Sequence, residues 1–202
     1  MVAVLGALVI AGEYGTGTIR SSLAAVPSRL PVLGTKALVL GCATFVVAAV
    51  SFAAAVPLST GLLAGNDVDV HLDDPQYWSA VLGGVAYLVL VALIAFAIGA
   101  LVRSVSGGIA ISLGLLLAAP VALSLLFGGD PPAWGENLAS LLPTIAGKLL
   151  FTYPASQRWV DLSAPSADGG WLGEPWHGAL VLVGWVAVLL AVAGLLLRRR
   201  DA

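Results

Sequence analysis

Residues 37–64 contain no charged side chain, and neither do residues 79–102, 107–127 or 178–197. A helix crosses the roughly 30 Å hydrocarbon layer of a bilayer with about 20 apolar residues. With water excluded, its backbone groups must be satisfied within the segment itself. Four such runs predict an all-α polytopic membrane protein. The composition agrees: 59% of residues are hydrophobic and 10% are charged, where soluble domains carry about 25% charged residues. The lone Cys42 rules out an intrachain disulfide or a cysteine metal cluster.

A fifth apolar run, residues 1–12, would be about 18 Å long as a helix, short of a span. No basic residue precedes it, which argues against a secretory signal peptide. The expectation is about five transmembrane helices, the first truncated. Either the reading frame continues upstream through another span, or a neighbouring subunit completes the half-helix.

The charges sort by side. Residues 13–36, Arg103 and Arg198, Arg199 and Arg200 hold seven of the nine Lys and Arg residues, with Glu13 and Asp201 as the acids there. The loops 65–78 and 128–177 hold the other nine acids, against Lys148 and Arg158. The positive-inside rule makes the first set cytoplasmic. Five of the six tryptophans, Trp78, Trp134, Trp159, Trp171 and Trp176, fall on the outer side, suited either to the headgroup layer or to packing in the outer loop. Arg103 and the SVSGG turn leave room only for a tight hairpin between spans 79–102 and 107–127. In the outer region Leu138, Leu141, Leu142, Ile145 and Leu149 recur at helical spacing. They predict one short amphipathic helix, at the surface or dipping inward, bent at Pro143.

The least uniform stretch is EYGTGTIRSSLAAVPSRLPVLGTK, residues 13–36. Its apolar residues Ile19, Leu23, Val26, Leu30 and Leu33 recur at helical spacing beside Arg20, Arg29 and Lys36. Such an element suits a membrane surface or docking on another protein. Pro27 and Pro31 limit it, so a short helix from Thr18 to Val26 is expected, then an elbow into the next span.

Chemistry of other kinds is sparse. The spans hold no internal ionisable residue of the type that marks proton relays or ion-coupled carriers. Asp67, Asp69, His71, Asp73 and Asp74 mimic a calcium loop, but Leu72 stands where glycine is needed and Trp78 where a bidentate Glu is needed. His71 and His177 have no nucleophile spaced to pair with them, and HExxH and GxSxG patterns are absent. Small residues at four-residue spacing, Gly108 with Ser112, Ala110 with Gly114 and Ala187 with Ala191, would permit close helix packing, although Ala- and Gly-rich spans also produce such pairs by chance.

The segment EYGTGTIRSSLAAVPSR, following an apolar run and leading into a long span, resembles the coupling loop of type-2 ABC transporter permeases, actinobacterial ones above all. The tight hairpin at Arg103 and the LLPTIAG segment at 141–147 are similar too. The resemblance implies a permease subunit of an ATP-driven exporter in a bacterial plasma membrane, forming half of a substrate path. Glu13 would mark the cytoplasmic end of the second span, with Gly15, Thr16, Gly17 and Thr18 as the turn. Ile19, Arg20, Leu23 and Val26 would lie on a coupling helix closed by Pro27 and Arg29. The implied partners are a cytoplasmic ABC ATPase, a second permease subunit in a homo- or heterodimer, and the bilayer, with no nucleic acid. The chain has no GxxxxGK[ST] motif, so it is not expected to be an enzyme or to hold a cofactor; ATP and Mg belong to the ATPase. The competing expectation is a non-transporting membrane anchor or scaffold.

Overall fold

The computed structural model describes residues 1–16, 29–64, 72–127, 132–151 and 175–199. These form helices α1 (Val2–Thr16), α2 (Arg29–Ala64), α3 (Pro75–Val102), α4 (Val105–Leu113), α5 (Ala119–Phe127), α6 (Ala133–Ser140), α7 (Pro143–Phe151) and α8 (Pro175–Arg199), with a π turn, Gly114–Ala118, joining α4 to α5. No strand occurs among the described residues. Among the described residues, four helical segments are long and apolar enough to cross a membrane: Pro31–Leu62, Pro75–Val102, Val105–Phe127 and Trp176–Leu196. The chain is an all-α polytopic membrane protein.

Helix α3 is the axis of the bundle. Of its most apolar window 56% is buried, against 11–17% for the other three spans. Its N-terminus is set by Asp74, whose carboxylate accepts the Gln76 N–H at 2.8 Å, followed by Pro75 in the first turn. Asp74 therefore caps a helix. At the far end Arg103 adopts a left-handed conformation (φ 56°), and its N–H closes on the Gly99 carbonyl at 3.0 Å. Ser104 then caps α4. The two-residue connection produces the expected antiparallel hairpin, and α4 begins at Val105, two residues ahead of expectation.

The other helices pack around α3 with directions fixed by their contacts. A Cβ on Gly6 would collide with the Ala92 carbonyl, and one on Gly99 would stand 2.9 Å from Ile10. Helix α1 is thus parallel to α3 and follows its second half. Helix α2 is antiparallel, with Gly41 near Leu93 and Phe52 over Gly84. Ile10, Leu33, Ala37, Phe96, Ala100 and Ala193 share one buried cluster. The C-terminal ends of α1, α3 and α8 therefore meet the start of α2 at one end of the bundle, which also carries Lys36 and Arg103. Because lipid is as apolar as these side chains, close backbone approach rather than water exclusion holds such helices together.

Two expectations are corrected. Helix α2 begins at Arg29 and carries Pro31 and Lys36 within it, so the helix starts ahead of residue 37, while an elbow just after Val26 would lie outside the described residues. In the first helical turn the N–H that proline lacks would have had no intrahelical partner. Residues 132–151, the described stretch in which one bent helix was expected, hold two helices. The chain breaks at Leu141 and Leu142, and Pro143 opens a new helix, since proline is tolerated at a helix start but not inside one. The buried face is also different: Pro143, Ala146, Gly147 and Leu150 are buried, while Leu138 and Leu141 are each 49% exposed.

Candidate functional site

The sequence places the site between α1 and α2. Glu13, Gly15 and Thr16 lie in the last turns of α1, and Arg29 is the first residue of α2. Gly17, Thr18, Ile19, Arg20, Leu23, Val26 and Pro27 lie outside the described residues, as does the expected helix from Thr18 to Val26. The structure does supply their bracket. Helices α1 and α2 both pack on the second half of α3, through Ile10 on one side and Leu33 and Ala37 on the other. Residues 17–28 are thus attached at both ends to the end of the bundle that carries Lys36 and Arg103.

At the opposite end α6 and α7 form a re-entrant hairpin. Trp134 stacks edge-on against Phe127 at the top of α5, with ring centroids 5.1 Å apart. From there α6 descends, and α7 rises between α3 and α8. Glycines admit it on both flanks: a Cβ on Gly83 would strike the Leu150 carbonyl, and one on Gly178 the Ala146 carbonyl. The bottom of the hairpin is tied by side chains. Trp185 Nε1 donates to the Leu141 carbonyl at 2.9 Å, and Thr144 Oγ1 donates to the Leu116 carbonyl at 2.6 Å. Leu116 stands eleven residues from either end of Val105–Phe127, about 16 Å from each at 1.5 Å per residue. Backbone that is not continuous helix survives at such depth only where protein covers and satisfies it.

Between this hairpin, α2 and the first half of α3 lies a cleft of about 410 Å³ lined by Phe52, Tyr77, Ala80, Val81, Gly84, Tyr87, Leu88 and Phe151. No charged side chain lines it. Pockets of this size with aromatic walls accept apolar or aromatic groups. The acidic loop offers less: Asp67, Asp69 and His71 lie outside the described residues, and no metal-binding cluster occurs among the described ones. His177 stacks on Trp176, with centroids 3.7 Å apart. Of the small-residue pairs, only Gly108 with Ser112 packs inward, with a Gly108 Cβ position 3.1 Å from the Gly99 Cα; Ala110, Ala187 and Ala191 are exposed. Sequence reading missed the hairpin's two ties. Pro120 was the available signal for one of them, since a proline inside a span denies the carbonyl four residues earlier, that of Leu116, its helical donor.

A family model described as ABC-2 family transporter protein matches residues 1–202. No curated protein and no solved structure matches.

Proposed function

Since the chain belongs to the ABC-2 family of transporter proteins, a multi-pass membrane permease of an ABC transporter, we propose that it forms half of an export path. It couples to a cytoplasmic ATPase through residues 13–36. The observation that carries this reading is the bracket: α1 ends and α2 begins at the same end of the bundle, both seated on the core helix. A push on residues 17–28 would therefore act on two helices joined by one packed cluster. That end is the basic one, which the positive-inside rule assigns to the cytoplasm. Nucleotide chemistry is assigned to the partner, because GxxxxGK[ST] is absent from the sequence. The chain itself acts as a non-catalytic subunit, without a cofactor, in a bacterial plasma membrane. Helix α2 and the Val105–Phe127 span, each 11% buried in their most apolar windows, leave faces for lipid and for a second permease subunit.

The test is purification of the tagged permease from its native membrane, followed by reconstitution. An ATPase carrying a Walker motif should accompany it in stoichiometric amount and hydrolyse ATP in the proteoliposomes. A permease that purifies intact with no ATPase would instead make the chain an anchor or scaffold.

Orientation has its own test. In a Cys42→Ala background, Asp69→Cys and Asp168→Cys should react with a membrane-impermeant thiol reagent in intact cells, and Ser28→Cys should react only after lysis. Labelling of Ser28→Cys in intact cells, with protection of Asp168→Cys, would invert the topology.

A further inference from the structure

We propose that Thr144 is a latch that holds the re-entrant hairpin to the middle of the Val105–Phe127 span, and that Pro120 creates the acceptor it closes on. Proline has no N–H, and its ring crowds the carbonyl four residues earlier, which here is that of Leu116. The helix responds by widening: Gly114–Ala118 is a π turn, and the Ala119 N–H reaches back to the Gly114 carbonyl. Pro120 thus offers the Leu116 carbonyl no donor at the usual i+4 position, in a layer without water, where an unpaired acceptor is costly. Thr144, 28 residues further on, supplies the missing donor at 2.6 Å.

Thr144 is held in place by its neighbours in the chain. It follows Pro143, which is fully buried, and it precedes the buried Ala146 and Gly147 of α7. Its target is equally anchored, because the Leu116 side chain packs with Ala3, Val91 and Ala95. Trp185 holds the same hairpin to α8 through the Leu141 carbonyl. Thr144 also shares a side-chain hydrogen bond with Tyr87 of α3, so the hairpin is strapped to its neighbours by side-chain bonds alone, which can open and reform without unwinding a helical turn. At the π turn the chain is already widened and has room to pivot: a Cβ on Gly114 would meet nothing within 4 Å. Release of Thr144 lets α5 swing about the π turn relative to α4. That would change the bundle at the end opposite the ATPase-coupling loop. The latch does not rest on the coupling reading, and its test needs only the permease.

Amide hydrogen exchange of the whole chain in lipid nanodiscs reads it directly. Thr144→Val, made in a Tyr87→Phe background so that the tyrosine hydroxyl is not left without its partner, keeps the shape of the side chain and removes the donor to Leu116. It should speed exchange in peptides covering 114–127 and 143–151 by about tenfold, equivalent to ~1.4 kcal/mol, while α3 keeps its rate. Thr144→Ser restores the hydroxyl and should exchange as the unmodified protein does. Pro120→Ala returns an N–H to the helix for the Leu116 carbonyl, so Thr144→Val should add almost nothing in that background. Unchanged exchange in Thr144→Val overturns the latch, as does acceleration spread evenly over all helices. Persistence of the full tenfold effect in the Pro120→Ala background overturns the role given to the proline.

Discussion

Gly6→Leu is expected to lower the thermal unfolding midpoint by about 6–12 °C, while Gly184→Leu leaves it nearly unchanged. At Gly6 even a Cβ would collide with the Ala92 carbonyl, a backbone atom of the central helix that cannot rotate away. Helix α1 would have to lift from α3, opening the buried cluster of Ala3, Val91, Ala95 and Leu116 and the one that holds Ile10 and Phe96. Overpacking of this kind costs about 3 kcal/mol, and each kcal/mol moves the midpoint by about 2–4 °C in a chain of this size. Gly184 has open space where the new side chain would go, so the same change in composition and helix propensity serves as its control. Heating the detergent-solubilised protein and following its monodisperse peak measures both variants. Equal midpoints would mean that α1 is not seated on α3.

Leu23→Asp is expected to reduce the ATPase retained by the permease more than tenfold without lowering the amount of permease in the membrane. Ile19, Leu23 and Val26 recur at helical spacing, and on the coupling reading they are the edge that enters an ATPase groove. A carboxylate there is an unpaired charge in an apolar contact, a cost of several kcal/mol. A loss of ~1.4 kcal/mol is already tenfold in association. Arg20→Ala should matter far less, since exposed rim pairs contribute about 0–1 kcal/mol. Glu13→Ala should separate binding from coupling, lowering transport-linked ATP hydrolysis while insertion and ATPase binding persist. Quantifying the copurified ATPase against the permease decides the matter. If Leu23→Asp keeps both ATPase and transport, residues 13–36 are an ordinary connection.

The spans were legible because an uncharged run of about 20 residues has few structural options in a bilayer. The hairpin at Arg103 was legible for a related reason: too few residues separate two spans for any other connection. Boundaries were less legible. Pro31 reads as a helix breaker along the sequence, yet at the third residue of α2 it costs the helix no hydrogen bond. The periodic apolar residues Leu138, Leu141, Leu142, Ile145 and Leu149 did not mark the buried face of residues 132–151. In a lipid-embedded bundle an exposed leucine carries little penalty, and small residues mark the contact instead. The buried face of α7 is accordingly Pro143, Ala146, Gly147 and Leu150.

By itself the sequence determined that this chain is an all-α membrane protein, that its basic and acidic ends are opposed, and that residues 13–36 differ from every other connection. Those properties follow from transfer free energy and charge, which accumulate residue by residue without reference to partners. Tertiary structure alone decided that α3 is the axis, that α6 and α7 re-enter the bundle, and that Thr144 reaches the Leu116 carbonyl, to which Pro120 offers no i+4 donor. These depend on which backbones can approach closely and which polar group lies within hydrogen-bonding reach of another 28 residues away. A local pattern cannot encode such a pairing, because either residue alone, a proline in a span or a threonine in a short helix, has the same sequence signature with or without the other.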